Sequence, residues 1–163
     1  MGSTTQADHT REALLALVAG TAAYAGQFAD CLLRAARQIG ASDVHLQPLG
    51  ETLDVRWRKD GVLLPVGVFP RGKTSDVVTR LKVMAELLTY RNDVPQEGRI
   101  RTPGQDVEMR VSTFPTLHGE RAVVRLFAAE GRFLYLEDLG LPAPIHDGLQ
   151  RLLVETAGAI IVT

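Results

Sequence analysis

From residue 43 onward, apolar and polar side chains take turns along the chain. Val44, Leu46 and Pro48 alternate with Asp43, His45 and Gln47, and Leu53, Val55 and Trp57 alternate with Asp54, Arg56 and Arg58. A two-residue period of this kind predicts strands with one buried face. Asp60-Gly61 is a hairpin turn signal, and the return strand from Val62 to Phe69 is interrupted by Pro65 and Gly67, which places it near a sheet edge. The period resumes at Ile100 to Thr102, Val107 to Phe114 and Arg121 to Ala128, with Pro103-Gly104 and Leu117-His118-Gly119 as turns. Across the second of these, Val107, Met109 and Val111 face one way and Asp106, Glu108 and Arg110 the other.

Helical spacing takes over elsewhere. Phe28, Cys31, Leu32, Ala35, Ala36 and Ile39 form one stripe that Gly40 stops. Val77, Leu81, Met84 and Leu88, widened by Val78 and Ala85, form another behind a Thr74 or Ser75 cap. Ala13 to Ala23 predicts a short helix, and the polar residues 1–10 predict disorder. The expectation is an α+β fold, an antiparallel sheet of five or six strands with helices on one face. After Leu139-Gly140-Leu141 the pattern changes: Pro142 and Pro144 open a helix carrying Ile145, Leu149, Leu152 and Leu153, Gly158 ends it, and Ala159 to Thr163 predicts an all-apolar strand. With 163 residues, 45% of them hydrophobic, the chain is sized for one domain with flanking segments. The divisions drawn are an N-terminal extension at 1–26, a domain at 27–135, and a linker with the start of a second domain at 136–163.

A net charge of −1 argues against a protein that coats nucleic acid or an anionic membrane. Among 18 basic residues only Lys59, Lys73 and Lys82 are lysines, and the arginine fork suits phosphate and carboxylate oxygens. A single Cys31 excludes a disulfide framework and a cysteine zinc site within the chain, and its place on an apolar helix face makes it a core residue. No apolar run is long enough to span a membrane, and the N-terminus lacks a signal peptide's order, so a cytosolic location is expected.

Residues 67–74, GVFPRGKT, match the phosphate-loop pattern G-x-x-x-x-G-K-[ST]. Such a loop works through consecutive backbone N–H groups aimed by a buried parallel strand. Pro70 has no N–H, Phe69 is bulky and the preceding strand is interrupted, so the match fails on mechanism. Glu137 and Asp138 are only superficial partners, because antiparallel hairpins intervene. The apolar segment Gly158 to Thr163 is instead the strand that a phosphate loop normally follows. His45 beside Asp43 has no second metal ligand at a convincing spacing and His118 falls in a turn, so both are expected to be structural.

Several stretches together resemble the ATPases of type II secretion and type IV pilus assembly. The carriers are GASDVHLQP at 40–48, VRWRKDGVL at 55–63, RLKVMAELL at 80–88, PQEGRI at 95–100, VEMRVSTFPTLHGERAVVRL at 107–126, LEDLGL at 136–141 and GAIIVT at 158–163. The resemblance implies a PAS-like domain followed by the first helix and strand of a RecA-like motor, with the phosphate loop due just after Thr163. ATP and Mg²⁺ would then be bound by the complete protein, and this chain by itself would neither hydrolyse ATP nor bind it tightly. It further implies that arginines of the PAS-like domain reach nucleotide phosphates on closure, a role that carries to Arg56 and Arg71, then to Arg58 and Arg80. Glu97, Glu120 and Arg121 would brace loops or touch subunits. Implied partners are the motor domains of a homohexamer and inner-membrane platform proteins, with peripheral attachment to that membrane through them. The competing readings are a stand-alone PAS-like ligand-binding or regulatory module without ATPase activity and a nucleic-acid surface built on Arg56, Arg58 and Arg110. Low net charge and the lack of an aromatic platform disfavour the latter.

Overall fold

The computed structural model describes residues 2–74, 76–100, 109–127 and 135–161, with side chains from residue 7 onward. The elements group into two compact units, Met1–Ala128 and Ala129–Thr163.

Among the described residues the first unit holds six strands: β1 (Asp43–Leu49), β2 (Thr52–Lys59), β3 (Val62–Pro70), β4 (Gln96–Ile100), β5 (Met109–Thr116) and β6 (Gly119–Leu126). Their order is β3-β2-β1-β6-β5-β4, antiparallel throughout. The fold is therefore α+β, as expected. Three helices, α1 (Gly2–Leu15), α2 (Tyr24–Gln38) and α3 (Val77–Met84), pack with one face of the sheet around a single core. Val44, Leu46, Leu53, Val55, Trp57, Val111, Ala122 and Val124 supply the sheet's side of that core. The opposite face is largely polar and, among the described residues, carries no helix of this unit. Alternation produces both faces at once, since successive strand residues point to opposite sides.

The edge position of β3 agrees with its prolines. The strand also holds an extra residue: Val55 pairs with Gly67 while Arg56 pairs with Pro65, leaving Val66 between them. This β-bulge lets Val66 and Phe69 both turn inward, at 3% and 1% exposure. Gly67, at φ +154°, has no room for a side chain, because a Cβ would lie 3.0 Å from the Phe69 ring. The first glycine of the phosphate-loop match thus belongs to a sheet edge.

Several expectations are corrected. Residues 2–10 are helical, joined to Ala13–Leu15 in α1, because Thr10 and Leu14 are buried one turn apart with Ala7 packed beside them. So sparse a stripe is invisible in composition. The α3 cap is Asp76, whose carboxylate accepts from the N–H groups of Val78 and Thr79; Thr74 bonds the Gly20 carbonyl instead, and Ser75 lies outside the described residues. The helix stops at Met84, so Leu88 is exposed rather than part of its stripe. The Pro103-Gly104 turn, Asp106, Val107 and Glu108 lie outside the described residues.

In the second unit a short 3-10 turn, Leu136–Leu139, precedes α4 (Ala143–Leu153), which has a proline in its first turn. The helix ends at Leu153, ahead of Gly158. Residues 159–161 form no strand, and 162–163 are outside the described residues. A parallel strand takes its conformation from flanking strands, and none pairs with this segment among the described residues.

Candidate functional site

The polar face of the sheet is organised in rows that cross the strands. In one row Arg58 lies beside Asp43, Asp43 beside Arg125, Arg125 beside Arg110 and Arg110 beside Arg99. Neighbouring strands sit about 4.8 Å apart, so Arg125, Arg110 and Arg99 stand abreast on three strands. Like charges directly opposite each other are destabilising in a sheet. The next row sets Pro65, Arg56, His45, Val123, Ser112 and Glu97 side by side.

Asp43 organises the row's left half. Its Oδ1 accepts from Arg125 Nε at 3.0 Å, its Oδ2 from Ser42 at 2.9 Å, and Arg58 Nε approaches to 3.8 Å. Burial alone would raise the carboxyl's pKa, but the bonds from Arg125 and Ser42 outweigh it and hold the group below the ordinary aspartate range. Arg125 remains 65% exposed despite this contact. Further right, Arg110 lies over the Phe127 ring and Arg121 over the Phe114 ring, both at 5.0 Å. Such stacking holds a guanidinium flat along the surface.

The four arginines singled out in the sequence go to three places. Arg56 and Arg58 share the polar face: Arg56 Nε bonds Asp54 at 2.9 Å and stays 53% exposed, and Arg58 also donates to the Gly61 carbonyl at 2.8 Å. Arg71 lies at the end of the sheet, where it ties two turns together. It donates to Asp76 at 2.8 Å, to the His118 carbonyl at 2.6 Å and to the Gly50 carbonyl at 3.3 Å. Gly119, at φ +108°, makes room for it, since a Cβ there would meet Arg71 Nη1 at 2.9 Å. Arg80 is on α3, its Nε buried, near Gly26 of α2 and so on the helical side.

Arg125 and Arg99 escaped the sequence reasoning, although the signal for Arg125 was present. Leu117-His118 is a two-residue turn, and counting outward from it pairs Arg110 with Arg125. Lys82 was also missed. It is fully buried, bonded to Glu120 at 2.7 Å. Among the described residues no cluster of His, Cys, Asp or Glu could hold a metal ion, and no helix is long and apolar enough to cross a membrane.

Comparison with known sequences adds identity to this geometry. The family described as "Type II/IV secretion system protein" matches residues 21–163. The type II secretion system ATPase E of Vibrio cholerae is 43% identical over 136 residues, covering 82% of this chain and 27% of the relative. The type II secretion system protein HxcR of Pseudomonas aeruginosa is 38% identical over 82% of this chain and 29% of its own length. The type IV pilus assembly ATPase PilB of Thermus thermophilus is 33% identical over 85% of this chain and 16% of its own length. The chain thus spans less than a third of these relatives, and the matched span holds every strand of the sheet and both rows of its polar face. It belongs to the type II/IV secretion system protein family.

Proposed function

We propose that this chain is the PAS-like clamping domain of a secretion or pilus-assembly ATPase, and that the arginines of its open sheet face contact nucleotide phosphates. The observation that carries this reading is the row Arg58, Asp43, Arg125, Arg110, Arg99, which lines up four guanidinium-bearing side chains across one open face of the sheet. A polyphosphate can be spanned by side chains set at this spacing, and guanidinium groups bind its oxygens with charge-assisted hydrogen bonds. Arg56 and Arg58 keep the role given to them from sequence, Arg125 and Arg110 join them, and Arg71 becomes a brace whose donors are engaged with backbone and Asp76. Arg80 faces away. Phe114 and Phe127 each carry a guanidinium on a ring, which removes them as stacking platforms for bases.

In this reading the complete protein binds ATP with Mg²⁺ in a motor domain, this domain closes on the phosphates, and closure reports nucleotide state to neighbouring subunits of a hexamer. Its remaining partners are platform proteins at the inner membrane. Reach of the row to phosphate is tested on this chain with inorganic tripolyphosphate, by observing arginine Nε–Hε signals in NMR. Saturable shifts are expected at Arg58, Arg110 and Arg125, weakened at about 0.5 M salt and reduced severalfold by Arg125→Ala. Shifts confined to Arg71, or none at all, would remove the proposal in favour of a regulatory module without a phosphate role.

A further inference from the structure

On the helical side of the sheet, Lys82 of α3 is 0% exposed and uses three donors on three acceptors: the Arg91 carbonyl at 2.7 Å, Asn92 Oδ1 at 3.0 Å and Glu120 Oε2 at 2.7 Å. That exhausts an ammonium group's donors. A buried ion pair is a poor source of net stability, because desolvation offsets most of the attraction and apolar side chains of like volume serve as well or better. What it does supply is geometry, since each end must meet the other to avoid a lone buried charge. The pair joins α3 to β6 through Glu120, and α3 to the lead into β4 through Arg91 and Asn92. The lead is fixed a second time by Gln96, which donates to the carbonyls of Leu88 and Arg91 and accepts from the Leu88 N–H. Beyond it, Gly98 lets β4 press on the end of α3, where a Cβ would lie 2.5 Å from the Ala85 carbonyl oxygen.

These two strands carry Arg125 and Arg99, the outer members of the arginine trio, and between them runs β5 with Arg110. We propose that Lys82 and Glu120 form a latch that sets the positions of β6 and β4, and through them the spacing of the arginine row on the opposite face. The phosphate half of this proposal rests on the function proposed above; the latch itself does not. Lys82 is a positioning residue, acting through backbone and never touching phosphate.

The test uses Lys82→Met, Glu120→Gln and the paired change Lys82→Met with Glu120→Leu. Each single change is expected to lower the melting temperature, and the paired change to recover most of the loss. Even so, in the paired variant amide hydrogen exchange over residues 94–100 and 118–124 should run about tenfold faster than in the wild type. Its tripolyphosphate shifts at Arg110 and Arg125 should also require severalfold more ligand. Wild-type exchange in the recovered variant would overturn the latch. If the wild-type chain shows no tripolyphosphate shift, the phosphate reading falls alone and the exchange result still decides the latch.

Discussion

His45 lies on the sheet's polar face with its Nε2 buried and without a hydrogen-bond partner. Burial lowers its pKa, Arg58 and Arg121 lower it further, and Asp43 opposes them. A base whose folded pKa is depressed is protonated first in the unfolded chain. Its contribution to stability is therefore complete above about 6.5, the ordinary imidazole value, and is lost as pH falls from there towards the lower folded value. Urea midpoints should decline across that window, and His45→Gln should flatten the decline. A wild-type profile with no change there would refute this account. Asp43, a carboxylate also held low, behaves in the same sense at lower pH: its contribution is present above about 3.9 and is lost as pH falls from there towards the lower folded value. Sequence alternation identified both side chains and their shared face, but the partners of Asp43 come from β2 and β6, and only register reveals them.

At the scale of elements, α2 is the helix most fully written in its own residues. Its apolar stripe continues to Tyr24, and Phe28 sits between two rings, 5.6 Å from the Tyr24 centroid and 5.3 Å from that of Phe69. Phe28 is 0% exposed. Phe28→Ala should cost about 3–5 kcal/mol, read as a lower denaturant midpoint with an unchanged slope; a loss below 1 kcal/mol would mean that the aromatic trio contributes little. By contrast, α1 was illegible because its inward positions include Thr10, a residue that composition files as polar. The terminal apolar segment failed for another reason. Alternation and propensity describe a strand's own residues, whereas an all-apolar strand exists only where other strands flank it.

For the first unit as a whole, the informative pairing is β1 with β6, which joins residues 82 apart, as in the Arg125–Asp43 bond, at the centre of the sheet. Hairpins β1–β2–β3 and β4–β5–β6 are local, but the sheet is complete only when that long loop closes, and such topologies fold slowly. Trp57, the single tryptophan, is fully buried on β2 and provides a probe. Stopped-flow refolding followed by its fluorescence should take milliseconds to seconds, and completion within microseconds would contradict the topology. The layer architecture was readable from the alternation of periods. The arginine row was only half readable, because Arg99 depends on pairing across residues 101–108, where Pro103-Gly104 signals a turn without fixing the register of the strands on either side.

The extra residue in β3 has one more implication. Were Gly67 deleted, Val66 would fall opposite Val55, Val68 would keep its place opposite Asp54, and Phe69 would still point inward opposite Leu53. A chain one residue shorter would thus straighten that margin while preserving all of its inward side chains. The eight-letter likeness to a nucleotide loop would vanish with the same side chains still directed inward, which marks it as a by-product of the kink at the sheet edge.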